Sequence, residues 1–208
     1  MSIAFIQSSG AEPPIRIPAI GLDLYVRMPG SASGDAFTII ETTNAPGAGP
    51  PRHRHREAEI FRVLEGRYLY EVEGRRFYAE EGDVVSIPGG AEHGFVNVTD
   101  KPARQYILIT PALDAAAFFT ELAGVMKEGV PDRLVLNAFG ARWQVEFLGP
   151  PVSRTETPTD RGAARHRQQN LHCPRTAPGR ATETAMTDAM HHLPEGSLIL
   201  PRVGGHLC

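Results

Sequence analysis

Residues 47–66 read GAGPPRHRHREAEIFRVLEG and residues 82–97 read GDVVSIPGGAEHGFVN; together they hold His53, His55 and His93, the only histidines in the first 165 residues. His53 and His55 are two apart, so on an extended strand both rings leave one face while Arg52, Arg54 and Arg56 leave the other. Glu59 keeps the same odd parity, and Phe61 and Val63 carry it into an apolar stretch that reads as a strand facing a core. The first stretch therefore delivers three ligand-type side chains to one side. His93 comes after the turn Ile87-Pro88-Gly89-Gly90, and Phe95 and Asn97 share its parity on the next strand. For His93 to meet the other three, the sheet must curl back on itself, as in a small antiparallel barrel.

Imidazole and carboxylate are ligands for borderline divalent metals, so His53, His55, Glu59 and His93 predict one mononuclear His3Glu site. A lone His-x-His pair usually marks no more than two polar side chains on a strand, and Glu59 has an alternative as a surface carboxylate paired with Arg62 or Arg76. The second stretch shifts the balance, because three neutral imidazoles gain from one anionic partner against a metal's charge. The arginines between the histidines read as a solvated strand face. With a net charge of -3, nothing in the chain favours a polyanion, so nucleic acid is excluded as a partner.

Gly47, His53, His55, Glu59 and Gly66, followed by Gly82, Pro88, Gly90, His93 and Asn97, resemble the two conserved motifs of the cupin superfamily at every position. The stretch between them, residues 67–81, resembles the short spacing of compact microbial cupins, and the likeness runs from about Leu22 to Pro111. It implies a jelly-roll barrel of the double-stranded β-helix type, with His53, His55, Glu59 and His93 on one metal ion and Gly66, Gly82, Pro88 and Gly90 shaping turns. It is similar to small quercetin-dioxygenase-type cupins, which carry helices after the barrel, and it implies a homodimer formed by N-terminal strand exchange.

The remaining composition agrees with an all-β barrel followed by helices. At 208 residues and 41% hydrophobic the chain can bury a core, and its 18 Pro and 21 Gly read as turn-rich β structure. Strands are predicted at Leu22–Met28, Phe37–Thr42, Tyr68–Val72, Arg75–Ala79, Asp83–Ile87 and Gln105–Thr110, with Glu73-Gly74 as a hairpin turn. Phe118, Phe119, Leu122, Val125 and Met126 recur at helical spacing, which predicts a helix over Leu113–Lys127 packed on the barrel's outside, with Asp114 at its positive end. A second helix is predicted from Pro131, placed in its first turn, to about Trp143. The expected organisation is a barrel at 1–112, a helical extension at 113–151 and a tail at 152–208.

The tail has no Phe, Tyr or Trp, holds five of the eight histidines and both cysteines, and is expected to be disordered. A reading frame running past a natural end near Pro151 would leave such a break in composition. Its His166, His172, Cys173, His191 and His192 lack regular ligand spacing. Only Thr182–His192 has helix potential, and Ser197–Leu200 is short and isolated. Truncation after Pro151 is expected to leave folding unchanged. No apolar run is long enough to span a bilayer, residues 1–11 lack the pattern of a secretion signal, and no cysteine lies near the motifs, so a cytoplasmic protein without disulfides is expected.

A His3Glu set leaves an octahedral ion two positions for exogenous ligands. The first expectation is a dioxygenase-like oxidoreductase acting on a small aromatic or enol-type substrate. Its cofactor is one divalent transition metal (Fe, Mn, Ni, Co, Cu or Zn), and Glu59 doubles as a candidate base. Phe61, Tyr68, Tyr70, Phe95 and Tyr106 are expected to line a mostly apolar pocket. The alternatives are a non-redox isomerase, lyase or hydrolase using the ion as a Lewis acid, or a small-molecule-binding module. No helix-turn-helix accompanies the barrel, so regulation ranks last.

Overall fold

Ala103, Gln105, Ile107 and Ile109 are buried, whereas Arg104 and Tyr106 between them are exposed, so strand 103–110 turns every second side chain inward. The same alternation buries Glu59, Phe61 and Val63 on one neighbouring strand and Ile40 and Thr42 on another. The structure, a computed structural model, describes residues 4–8 and 12–159. Its strands are β1 (Ile15–Ile17), β2 (Leu22–Met28), β3 (Thr38–Asn44), β4 (Pro51–His55), β5 (Ala58–Glu65), β6 (Arg67–Val72), β7 (Arg75–Glu80), β8 (Val84–Ile87), β9 (His93–Asn97) and β10 (Ala103–Thr110). Helices α1 (Ala115–Val125) and α2 (Arg133–Trp143) and strand β11 (Val145–Pro151) follow. Two antiparallel sheets result, ordered β1-β2-β3-β10-β5-β8 and β11-β4-β9-β6-β7, with the core between them. This is the jelly-roll architecture that the sequence predicts.

The first motif is not one strand. The chain crosses between sheets at Arg56–Glu57, so β4 belongs to the five-stranded sheet and β5 to the six-stranded one. Odd parity survives the crossing because each strand turns its odd positions toward the shared interior. The turn before β9 holds the crossing in place. Gly90 has φ +83°, a conformation that strongly favours glycine, and its N–H donates to the His55 carbonyl at 2.6 Å. A Cβ on the preceding Gly89 would overlap the Arg56 carbonyl. At the β6–β7 hairpin, Glu73 and Gly74 both have positive φ, 49° and 72°, as a tight two-residue hairpin turn requires.

The helices differ from expectation in two respects. Asp114 lies outside α1 as its cap, with the side chain accepting from Ala117 N at 3.1 Å, and Asp132 caps α2 by accepting from Val135 N at 2.9 Å. Pro131 therefore precedes the cap and is not in the first turn. A short carboxylate satisfies free N–H groups at a helix start, so it outweighs proline as the starting signal. The second difference is placement: Phe118, Phe119 and Leu122 of α1 roof the interior cavity instead of packing on the barrel's outside. β11 then returns to pair with β4, with Val145 opposite His55 and Phe147 opposite His53.

The tail's boundary also moves. Val152 is 3% exposed and packs on Leu69 and Val96 on the far side of the five-stranded sheet. Glu156 pairs with Arg76 at 2.7 Å, Arg154 with Asp100 at 2.8 Å, and Thr159 Oγ1 accepts from Arg76 N at 2.9 Å. Chain cut after Pro151 should therefore melt lower than chain cut after Thr159. Exposing the Val152 contact costs about 2 kcal/mol, or roughly 4–8 °C in Tm; equal values by calorimetry would show that residues 152–159 contribute nothing. Thr182–His192, Ser197–Leu200 and the histidines and cysteines of the tail lie outside the described residues.

Two buried carboxylates tie the sheets' outer faces. Glu41 lies between Arg27 and Arg104, at 2.8 and 2.5 Å, and Glu71 between Arg52 and Arg76, at 2.9 and 2.5 Å. Burial raises both carboxyls, but the flanking guanidinium groups outweigh it and hold both below the usual carboxylate range. A folded-state pKa held low contributes stability above the unfolded value and loses it as pH falls. Tm should therefore drop below about pH 4.5, and the Glu71→Gln variant should show a shallower acid limb than wild type.

Candidate metal centre

His53 and His55 project from β4, and His93 projects from β9, which pairs with β4 so that His53 and His93 are direct partners. Glu59 enters from β5 in the opposite sheet. One ligand atom from each histidine lies within 4.8 Å of the others, and the ring centroids are 4.4 to 5.5 Å apart. Glu59 Oε2 is 3.1 Å from His93 Nε2, and its Oε1 is 3.7 Å from His55 Nε2. The cluster sits on the seam between the sheets, with His93 2% and Glu59 8% exposed.

Two of the three rings are oriented through Nδ1. His53 Nδ1 meets the Pro51 carbonyl at 2.8 Å and His93 Nδ1 the Ala91 carbonyl at 2.9 Å, so both Nδ1 atoms carry a proton and Nε2 is the nitrogen each ring keeps for a metal. His55 Nδ1 has a carboxylate beside it instead, Glu57 Oε2 at 3.3 Å and not aligned as a hydrogen bond, while Glu57 Oε1 accepts from Arg56 Nε at 2.8 Å. Among the described residues, buried His93 Nε2 has no well-aligned hydrogen-bond acceptor. Burial, followed by repulsion from His93 and His55, pushes His53 down to about 3 and keeps it neutral. Burial raises Glu59, but His93, then His55 and His53, outweigh it and hold the carboxyl at about 2. Burial lowers His93, but the adjacent Glu59 carboxylate prevails and raises it. Three imidazoles converging beside an ionised carboxylate fit a divalent metal ion.

Glu57 is a residue that the sequence reading missed. It is 5% exposed, shares the odd parity of His55 and Glu59, and faces the same interior. A carboxylate on the distal nitrogen of a ligating imidazole fixes its tautomer and raises its basicity. Glu57→Ala should weaken metal binding by about 10- to 100-fold. Chelator competition at fixed pH reads this directly, and unchanged affinity would confine Glu57 to its ion pair with Arg56.

The cavity over the histidines is walled by Phe61 and Phe95 from the two sheets, by Phe147 from β11, and by Phe118 and Phe119 from α1. Of the five side chains predicted to line it, Phe61 and Phe95 do so. Tyr68 and Tyr70 are 0% exposed and lie behind the wall, with their hydroxyls on Asn44 Oδ1 at 3.1 Å and Gln105 Oε1 at 2.5 Å. Tyr106 is 38% exposed on the outer face, because it occupies an even position on a strand whose odd positions point inward. Among the described residues no helix is long and apolar enough to cross a membrane.

A cupin domain family model matches residues 41–109. The chain is 31% identical over 67 residues to quercetin 2,3-dioxygenase of Bacillus subtilis (strain 168), covering 32% of this chain and 20% of that protein. It is 28% identical over 135 residues to germin-like protein 2-4 of Oryza sativa subsp. japonica, covering 57% of this chain and 55% of that protein. The chain thus spans between a fifth and just over half of the length of these curated relatives. The solved structure of KdgF from Halomonas sp. aligns at a TM-score of 0.48 and 19% identity, covering 54% of this chain and 97% of that one. The matched segment contains His53, His55, Glu59 and His93 on antiparallel strands of a jelly roll, and the chain carries a cupin domain over residues 41–109.

Proposed function

We propose that the chain is a metal-dependent, dioxygenase-like oxidoreductase acting on a small aromatic or enol-type substrate. The observation that carries this reading is the convergence of three imidazoles and one ionised carboxylate, with His53, His55 and Glu59 in the wall of a cavity lined chiefly by Phe, Leu, Ile and Val. The likeness to a quercetin 2,3-dioxygenase over 67 residues supports it. His53, His55, His93 and Glu59 would hold one divalent ion. A redox-active ion bound there supplies the one-electron steps that let O2 react with a closed-shell organic substrate.

The protein's own groups do the rest. Phe61, Phe95, Phe118 and Phe119 stack on a flat substrate and exclude water. Glu59 is ionised and accepts the proton of a hydroxyl presented to the histidines. The test is metal analysis of protein purified without a histidine tag, followed by O2-electrode measurements with catechols and enols. Fe, Mn, Ni, Co or Cu at one per chain, with O2 uptake, is the expected result. Zinc with no O2 uptake would replace this reading with Lewis-acid isomerase, lyase or hydrolase chemistry, and ligand binding without turnover would make it a binding module.

A further inference from the structure

We propose that Asn137 of α2 is a positioning residue for the metal centre: it holds both backbone groups of Phe147, which fixes β11, and β11 in turn fixes the strand that presents His53 and His55. The inference rests on the metal centre proposed above and not on the reaction assigned to it. The histidine strand needs such a support. β4 meets β9 at a single registered pair, His53 opposite His93, whereas β11 pairs with it from Pro51 to His55. Two of the three imidazoles therefore sit on a strand held mainly from the β11 side.

β11 is itself the edge of the five-stranded sheet, so its outer backbone groups meet no further strand among the described residues. Phe147 N donates to Asn137 Oδ1 at 2.7 Å, and Asn137 Nδ2 donates to the Phe147 carbonyl at 3.1 Å. A backbone N–H only donates and a carbonyl only accepts, so these two bonds settle which atom of the amide is oxygen and which is nitrogen. Asn137 thus closes the edge at this residue as a neighbouring strand would. One turn further on, buried Gly140 lets the helix approach, because a Cβ there would overlap the Val145 carbonyl. Asn137 and Gly140 share one face of α2. They meet the two β11 residues that lie opposite the histidines, Phe147 opposite His53 and Val145 opposite His55.

The support reaches the ligand side chain as well as its backbone. Phe147 is 4% exposed, and its ring centroid lies 6.2 Å from that of His53, whose Nδ1 is held on the Pro51 carbonyl at 2.8 Å. If β11 loosened at Phe147, the His53 ring would lose its neighbour on that side and β4 its main partner. Metal–ligand distances are held to within about 0.2 Å, so the first consequence is a weaker and altered metal site in a chain that still folds.

The experiment is Co2+ binding to the full chain, read by chelator competition and by the visible absorption of the bound ion. Asn137→Leu removes both hydrogen bonds and should lower Co2+ affinity about tenfold, the low end of the range for residues that support ligands, and shift the absorption band. Asn137→Asp keeps the acceptor for Phe147 N–H but loses the donor, so its affinity should fall between Leu and wild type; if Asn137→Leu does not fold, Asn137→Asp decides. Leu24→Val is the control: Leu24 is fully buried on β2, which carries no ligand, so this variant should melt lower and bind Co2+ as wild type does. Wild-type affinity and an unshifted band in the folded Asn137 variants, or an equal loss in Leu24→Val, overturns the inference. Wild type that binds no Co2+ overturns the metal centre and this inference with it. A loss confined to the Asn137 variants sustains the inference even where the loaded wild type takes up no O2.

Discussion

Protein carrying His93→Ala is expected to emerge from dialysis without metal under conditions where wild type retains one ion per chain, with affinity reduced more than 100-fold, beyond the range of supporting residues. The reason lies in the topology. His53 and His55 come from one short strand, and His93 is the imidazole that closes the set from a second strand while holding Glu59 Oε2 at 3.1 Å. Without it, Glu59 loses the group that contributes most to its low pKa, and two histidines remain on a strand flanked by β11. Protons compete with metal at the same atoms. Because Glu59 raises His93 above its ordinary value of 6.5, protonation of His93 begins at a higher pH than for a free histidine, and loading should fall as pH drops through that range. Inductively coupled plasma analysis after dialysis at several pH values reads both effects. Full loading of His93→Ala would remove this cluster as the metal centre.

Glu59→Gln should separate holding from catalysis. Gln keeps a carbonyl oxygen near His93 and His55 but has no negative charge, so metal binding should weaken moderately. Turnover compared at equal metal loading should fall on the order of 100-fold if Glu59 also takes the substrate proton. Its ionised state at neutral pH follows from the three imidazoles, chiefly His93, which overcome the effect of burial. A variant that is fully loaded and fully active on its substrate would take Glu59 out of the chemistry and leave it a charge-balancing role.

Parity explains which parts of the site could be read along the chain. Odd positions from His53 to Val63 face inward even though two strands and two sheets are involved, so a reading that assumed one strand still placed His53, His55 and Glu59 together. The same rule, applied fully, would have found Glu57 and rejected Tyr106, which is even on a strand with buried Gln105, Ile107 and Ile109. Tyr68 and Tyr70 have the correct parity, yet depth in the barrel decides between lining the cavity and supporting its wall. That depth is set by the register of β6 against β9, where Tyr70 meets Phe95 and Tyr68 meets Asn97.

The candidate cluster of His53, His55, Glu59 and His93, the turn glycines, the two helices and the all-β class were legible along the chain, because each depends on local spacing and on the conformations that single residues allow. Long-range contacts were needed to show that α1 roofs the cavity, that β11 backs the histidine strand and that residues 152–159 dock. Each of those placements joins residues far apart in the chain. Helical spacing shows that Phe118 and Leu122 share a face, but the face says only that something apolar covers it. Which surface that is depends on where the strands leave apolar area open, and no local pattern carries that information.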